Sequence, residues 1–208
     1  MRKPKLIMVI PMSLALLGMS SCSPEQKWTE RQVEDFMIVS QEDGPTLGYS
    51  PKSGVKLLTV DGFAFKDLNR NDSLDVYEDW RLSAQERAAD LASKLSIEEI
   101  AGLMLYSSHQ PVPDKNLTAD QKKFLKDDHL RAVLITQVAS PVIAAQWNNQ
   151  MQAFVEGLDH GIPANTSSDP RHETQGNMEF NAGAGGQISQ WPCSLGMAAT
   201  FDPVLMNL

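Results

Sequence analysis

Cysteine is scarce: Cys22 and Cys193 are the only two in 208 residues, too few for a disulfide framework. Basic residues are in deficit, with 18 Lys and Arg against 26 Asp and Glu and a formal charge of −8. That balance argues against a nucleic-acid partner, which needs a basic face to neutralise phosphates. No apolar run reaches the roughly 20 residues of a membrane-spanning helix, and the stretch 6–18 falls short of it. What is present is an ordinary globular composition, 42% hydrophobic with 13 Gly and 12 Pro, long enough for one domain with a real core. An acidic surface is compatible with a neutral ligand such as a sugar.

The first residues read as a leader. Arg2, Lys3 and Lys5 precede the apolar stretch 6–18, the pattern of a secretory signal. Met19-Ser20-Ser21-Cys22 then resembles the lipobox of bacterial lipoproteins, although Met stands where Leu is usual. On that reading residues 1–21 are removed, and Cys22 is lipidated as the mature N-terminus. The protein is then exported and held at a periplasmic or outer-membrane surface by its lipid alone. An ordinary signal peptide with a chance cysteine is the alternative. Once Cys22 is lipidated, only Cys193 remains as a thiol candidate and no intrachain disulfide can form.

Residues 22–54 are expected to be a tether and N-terminal extension. Helical spacing runs through Val33, Phe36 and Met37 at 28–39, and a Gly-, Pro- and Ser-rich loop follows at 41–54. Asp61-Gly62 between the apolar runs 55–60 and 63–65 predicts a hairpin, which opens a segment at 55–82. From 83 onward the signals are helical. Ser83 with Glu86, Ser96 with Glu99 and Thr118 with Gln121 are capping-box pairs. Ala88, Leu91, Ala92 and Leu95 share one helical face, as do Ile100, Leu103 and Met104 further on; 103–106 is read as a strand leaving that stretch.

The run 132–138 has the length and β-rich character of a buried parallel strand. Ser140-Pro141 starts a helix whose face is Ile143, Trp147, Met151, Phe154 and Leu158, Gly161 stops it, and 162–166 is the next strand. Strand, helix and strand with short connections make a βαβ unit, hence an α/β fold with a parallel sheet. Near the end, Asp202-Pro203 looks like a helix start, and the chain reads as cut off within its architecture.

Within 55–82, Asp67, Asn69, Asn71, Asp75 and Glu78 carry oxygen at positions 1, 3, 5, 9 and 12 of a twelve-residue loop. An EF-hand loop supplies Ca²⁺ ligands at this spacing. Asp72 occupies the sharp turn where Gly is usual, and a strand rather than a helix precedes the loop. The residues fit either a structural Ca²⁺ site or an Asx-rich turn that bonds to itself.

After the strand 162–166 come Ser167-Ser168-Asp169-Pro170-Arg171-His172-Glu173. Ligands in parallel α/β folds sit at the carboxyl ends of strands. Asp169 can accept two hydroxyl hydrogen bonds, and Arg171 and His172 add donors, which suits a polyhydroxylated ligand. The same Asp and Arg would also serve as a structural ion pair.

Several segments together are similar to glycoside hydrolase family 3. They are ERAADLASKLSIEEIAGLM at 86–104, Gly161-Ile162-Pro163, the SSDPRH segment, and Trp191-Pro192 followed by LGMAATFD at 195–202. They resemble, in order, the opening of that family's (β/α)8 catalytic barrel, here an incomplete barrel spanning 83–208. The resemblance implies a retaining β-glucosidase acting on β-glucosides or oligosaccharides, with no cofactor required. It implies that Asp169 binds non-reducing-end hydroxyls and that His172 and Arg171 line the same pocket, although Glu173 replaces a usual Gly. His109 is a weaker candidate.

The Asp-Gln-Glu-Gly pattern of the family's hexosaminidase branch is absent, which favours glucosidase. The family's nucleophilic Asp, its acid Glu and its lysine–histidine subsite pair have no counterpart in these residues. The chain is therefore expected to be an N-terminal fragment, inactive alone. A non-catalytic carbohydrate- or calcium-binding lipoprotein is the alternative.

Overall fold

The computed structural model describes residues 25–108, 110–167 and 194–205. The N-terminal extension is β rather than helical. Strands β1 (Trp28–Val33) and β2 (Phe36–Gln41) form an antiparallel hairpin in which Val33 pairs with Phe36. The spacing that suggested a helix at 28–39 is produced by the turn. Glu34 adopts φ 52° there, and the β-favouring Phe36-Met37-Ile38-Val39 run extends with Val39 wholly buried. Strand β3 (Leu47–Tyr49), within the expected loop 41–54, adds to β2 as a third antiparallel strand.

The Asp61-Gly62 hairpin forms as read, joining β4 (Lys56–Val60) to β5 (Phe63–Asp67). Both turn residues have positive φ, 54° and 86°, as a two-residue hairpin turn requires. A side chain at Gly62 would run into the Glu25 carbonyl, and the Gly62 carbonyl accepts from Lys27 N–H at 2.8 Å. Trp80 stacks on Phe65 with ring centres 5.1 Å apart and donates to the Ala64 carbonyl. Ala64 N–H in turn donates to the Gln41 side chain, tying hairpin to sheet.

The long helical stretch is two helices, α1 (Ala84–Lys94) and α2 (Ile97–Leu103), separated by Leu95 in extended conformation. Both capping boxes close with reciprocal hydrogen bonds. The apolar face expected on α1 is not a core face: no α1 residue is buried, and Ala88 and Ala92 are exposed. Alanines bury little area and leave this stripe a weak driving force for burial. Beyond α2, Met104, Leu105 and Tyr106 are exposed, and of the strand expected at 103–106 only Tyr106 bridges, in parallel, to Ala132.

Strands β6 (Gln110–Val112), β7 (Ala132–Val138) and β8 (Asn165–Ser167) form a parallel sheet in that order. Helix α3 (Ala119–Lys126) carries the third capping box, and α4 (Pro141–Glu156) has Ser140 as N-cap and Pro141 at its first position. Thus β7, α4 and β8 are the βαβ unit the sequence predicts, with β8 starting three residues late. Helix α4 ends at Gly157, earlier than Gly161; the 3-10 turn Asp159–Gly161 follows it. Trp147, Met151 and Val155 of α4 are fully buried against Val112, Leu125 and Val133, with Ile143, Phe154 and Leu158 partly buried around them. The Trp147 indole N–H donates to Gln121 Oε1 at 3.2 Å, so the buried polar atom is satisfied. Among the described residues no helix is long and apolar enough to cross a membrane. Helix α5 (Ser194–Ala198) follows separately, and the Asp202 carboxylate accepts from Val204 and Leu205 N–H, the start of a turn where a helix start was expected.

The extension is fastened to α4 by charge. Glu156, in its last turn, is buried and accepts from Ser50 N–H at 2.9 Å and Lys66 Nζ at 2.8 Å. Arg70 donates to the Gly157 carbonyl at the helix C-terminus, where a cation complements the helix dipole. Gly161, at φ 57°, leaves room for Leu68, which a side chain there would strike.

Candidate functional site

The ends of β6, β7 and β8 define two faces with different chemistry. The carboxyl ends are where a parallel α/β fold places its ligand. The described chain reaches that face through Ser167. The proposed sugar residues Asp169, Arg171 and His172 lie outside the described residues, as do His109, Cys193 and the lipidation candidate Cys22.

Segment 162–166 is held at alternate residues by side chains of other elements. Arg131 Nε donates to the Ile162 carbonyl at 2.9 Å. Gln152 of α4 takes both backbone groups of Ala164, donating to its carbonyl at 2.8 Å and accepting its N–H at 3.1 Å. The Thr166 hydroxyl and the Asn148 side chain, also on α4, are 2.8 Å apart with the hydroxyl donating. Asn165 N–H joins the segment to β7 through the Arg131 carbonyl at 2.7 Å.

The amino ends of the strands enclose a cavity of about 490 Å³ lined by Glu99, His129, Arg131 and Asp159 among others. Arg131 is buried, which lowers its pKa from the usual value, and its guanidinium spreads over the carbonyls of Leu125, Leu130 and Ile162. Its donors therefore serve the backbone, and this face reads as a structural one. A second cavity of about 570 Å³ separates the N-terminal sheet from α4, with Phe36, Ile38, Lys66, Arg87 and Asn149 in its wall.

The loop 67–78 brings Asp67, Asn69, Asn71, Asp75 and Glu78 together in one turn. Asp72 has φ 60°, the left-handed turn that its position in such a loop demands. Asp67 is fully buried and accepts from Asn71 and Asp72 N–H, both at 3.0 Å. Glu78 accepts from the backbone N–H of Leu68 at 2.7 Å and of Asp75 at 3.0 Å. Asp75 accepts from the side-chain amides of Asn69 at 2.6 Å and Asn71 at 2.7 Å, and pairs with Lys94 at 3.1 Å. Burial works to raise Asp75, but these three donors outweigh it and hold its carboxyl below the usual range. Among the described residues no group of three His, Cys, Asp or Glu is placed to hold a metal ion. As folded, the loop directs its oxygens to N–H donors and to two ammonium groups, Lys94 on Asp75 and Lys56 on Asp72.

Sequence reasoning missed Lys94, Gln152 and Asn148. The signal available for the last two was a pair of amide side chains four residues apart, flanking the apolar face of α4.

No protein-family model matches the chain. Over 162 residues it is 37% identical to the periplasmic beta-glucosidase/beta-xylosidase of Dickeya chrysanthemi, covering 74% of this chain and 24% of that protein. Over 146 residues it is 32% identical to beta-glucosidase C of Emericella nidulans, covering 68% of this chain and 23% of that protein. The chain is thus homologous to β-glucosidases, a class of glycoside hydrolase. The similarity is consistent with the N-terminal part of a glycoside hydrolase family 3 member, and the chain spans about a quarter of the length of the curated relatives it matches.

Proposed function

We propose that these residues open the (β/α)8 catalytic barrel of a larger family 3 enzyme. That enzyme hydrolyses O-glycosidic bonds and releases non-reducing-end β-D-glucosyl residues with retention. The observation that carries the reading is the parallel pairing of β7 with β8, from whose carboxyl end the SSDPRH segment departs. The homology to proteins named β-glucosidase supports the same chemistry. The exposed Met104, Leu105 and Tyr106 beside the first parallel strand fit a sheet that continues into a larger body.

In this reading Asp169 accepts hydrogen bonds from two hydroxyls of the terminal sugar, and Arg171 and His172 line the pocket. A retaining mechanism also needs two carboxylates about 5 Å apart, one forming the glycosyl-enzyme and one protonating the leaving oxygen. The family resemblance assigns both to segments other than this one, so these 208 residues contribute sugar contacts to the larger enzyme and are inactive alone. The charged leader, the lipobox-like Cys22 and the periplasmic relative support an exported lipoprotein anchored only by its lipid.

Ca²⁺ at the loop 67–78 is proposed only in competition with Lys94. An ion there requires the Asn69 and Asn71 amides to rotate and Asp75 to be released. The alternative role, a non-catalytic sugar- or calcium-binding lipoprotein, is separated by one assay. The complete gene product is given p-nitrophenyl β-D-glucoside. Steady nitrophenol release supports the enzyme, and saturable glucose binding without turnover supports the binding protein.

A further inference from the structure

We propose that Asn148 and Gln152 of α4 are positioning residues for the sugar face, an inference that rests on the glycosidase reading above. Strand β8 is short, three residues, and its pairing with β7 covers only Asn165 to Ser167. A one-residue slip of such a strand would turn each side chain to the opposite side of the sheet. Hydrophobic pattern does little to prevent it, because Asn165, Thr166 and Ser167 are all polar.

Two side chains on α4 supply the missing specification. Gln152 offers one acceptor and one donor to the two backbone groups of Ala164, a pair that Pro163, which has no N–H, could not supply if the chain slipped to bring it there. Asn148, one turn earlier, takes the Thr166 hydroxyl. Since Trp147 and Met151 on the same helix are locked in the core, the two amides are held on a rigid support. Helix α4 thereby fixes the height at which the chain leaves β8 for the substrate face. A displacement of an ångström at a binding group is enough to cost a large part of a rate.

The test uses the complete enzyme with p-nitrophenyl β-D-glucoside. Asn148→Ala and Thr166→Val are each expected to lower kcat/KM by about fivefold or more, the worth of one part-buried hydrogen bond. The double variant should be no worse than either single one, because both remove the same bond. Asn148→Asp, which keeps the acceptor oxygen, should recover most of the loss, and Asn149→Ala on the exposed side of α4 should show none. Gln152→Glu adds a pH readout. Ionised, it repels the Ala164 carbonyl; protonated, it donates as the amide did. Its activity relative to wild type should therefore rise as pH falls through the carboxyl range.

Amide exchange at 164–167 reports the same clamp independently of turnover, and it should quicken in Asn148→Ala while the core of α4 stays protected. Variants with wild-type kinetics and wild-type exchange in an active enzyme overturn the inference alone. A wild-type enzyme without glycosidase activity overturns the proposed function and this inference with it.

Discussion

Asp79 and Arg81 form a bidentate ion pair in the segment 55–82. Arg81 donates to both oxygens of Asp79, at 2.9 and 2.7 Å, and also reaches Asp61 at 2.8 Å. The hydrogen bonds from Arg81 hold the Asp79 carboxyl below its usual range, against the opposing effect of burial. A carboxyl lowered in the folded state adds stability above its unfolded pKa of about 4, and loses it as pH falls through the folded value. Melting midpoints should therefore drop as pH is taken below about 4. Asp79→Asn should flatten that dependence and cost about 1–2 kcal/mol at neutral pH, since Arg81 is partly exposed.

Lys94 offers a second residue-scale test. Lys94→Met removes the competing ammonium and leaves Asp75 only the Asn69 and Asn71 amides, which can rotate away, so added Ca²⁺ should raise the midpoint of that variant more than that of wild type. Equal, negligible shifts in both would leave the loop as a self-bonded turn. The five oxygen-bearing residues were legible from spacing alone. The N–H partners lie within the loop, as the Asx-rich turn reading expected, but the Lys94 ammonium was not legible because the packing of α1 brings it in.

Helix α4 is the element on which the α/β part turns. Its core face could be read from period and N-cap, since Trp147 and Met151 recur at helical spacing behind Ser140-Pro141. Trp147→Ala should cost about 3–5 kcal/mol, a cavity effect measured by denaturant unfolding. Glu156→Ala should act differently. It releases Ser50 and Lys66 together, so limited proteolysis is expected to cut the extension near 50–54 faster while the parallel sheet persists.

The capping boxes were equally readable, because a cap is a local hydrogen-bond exchange needing no tertiary partner. The 28–39 segment was misread for the converse reason. Val33 and Phe36 are cross-strand neighbours in a tight hairpin, and their three-residue spacing imitates one helical turn. The α1 stripe misled as well: periodicity identifies a face but does not say what covers it.

At the scale of the whole molecule, the extension, the loop and the parallel sheet join through α4, whose far end addresses the ligand face. The α/β character and the βαβ unit followed from sequence because strand, cap, helical face and strand are each local signals. The clamp on β8 did not, since it couples amides on a helix to a backbone segment ten and more residues on. The sugar residues Asp169, Arg171 and His172 rest on motif order and on the homology, and they carry the central claim.

That claim is tested most directly by comparing kcat/KM for p-nitrophenyl β-D-glucoside between the complete enzyme and its Asp169→Asn variant. Loss of two charged hydrogen bonds to the terminal sugar predicts a fall of about two orders of magnitude or more with the fold intact. An unchanged kcat/KM in the variant would contradict the assignment of this segment to the sugar-binding face.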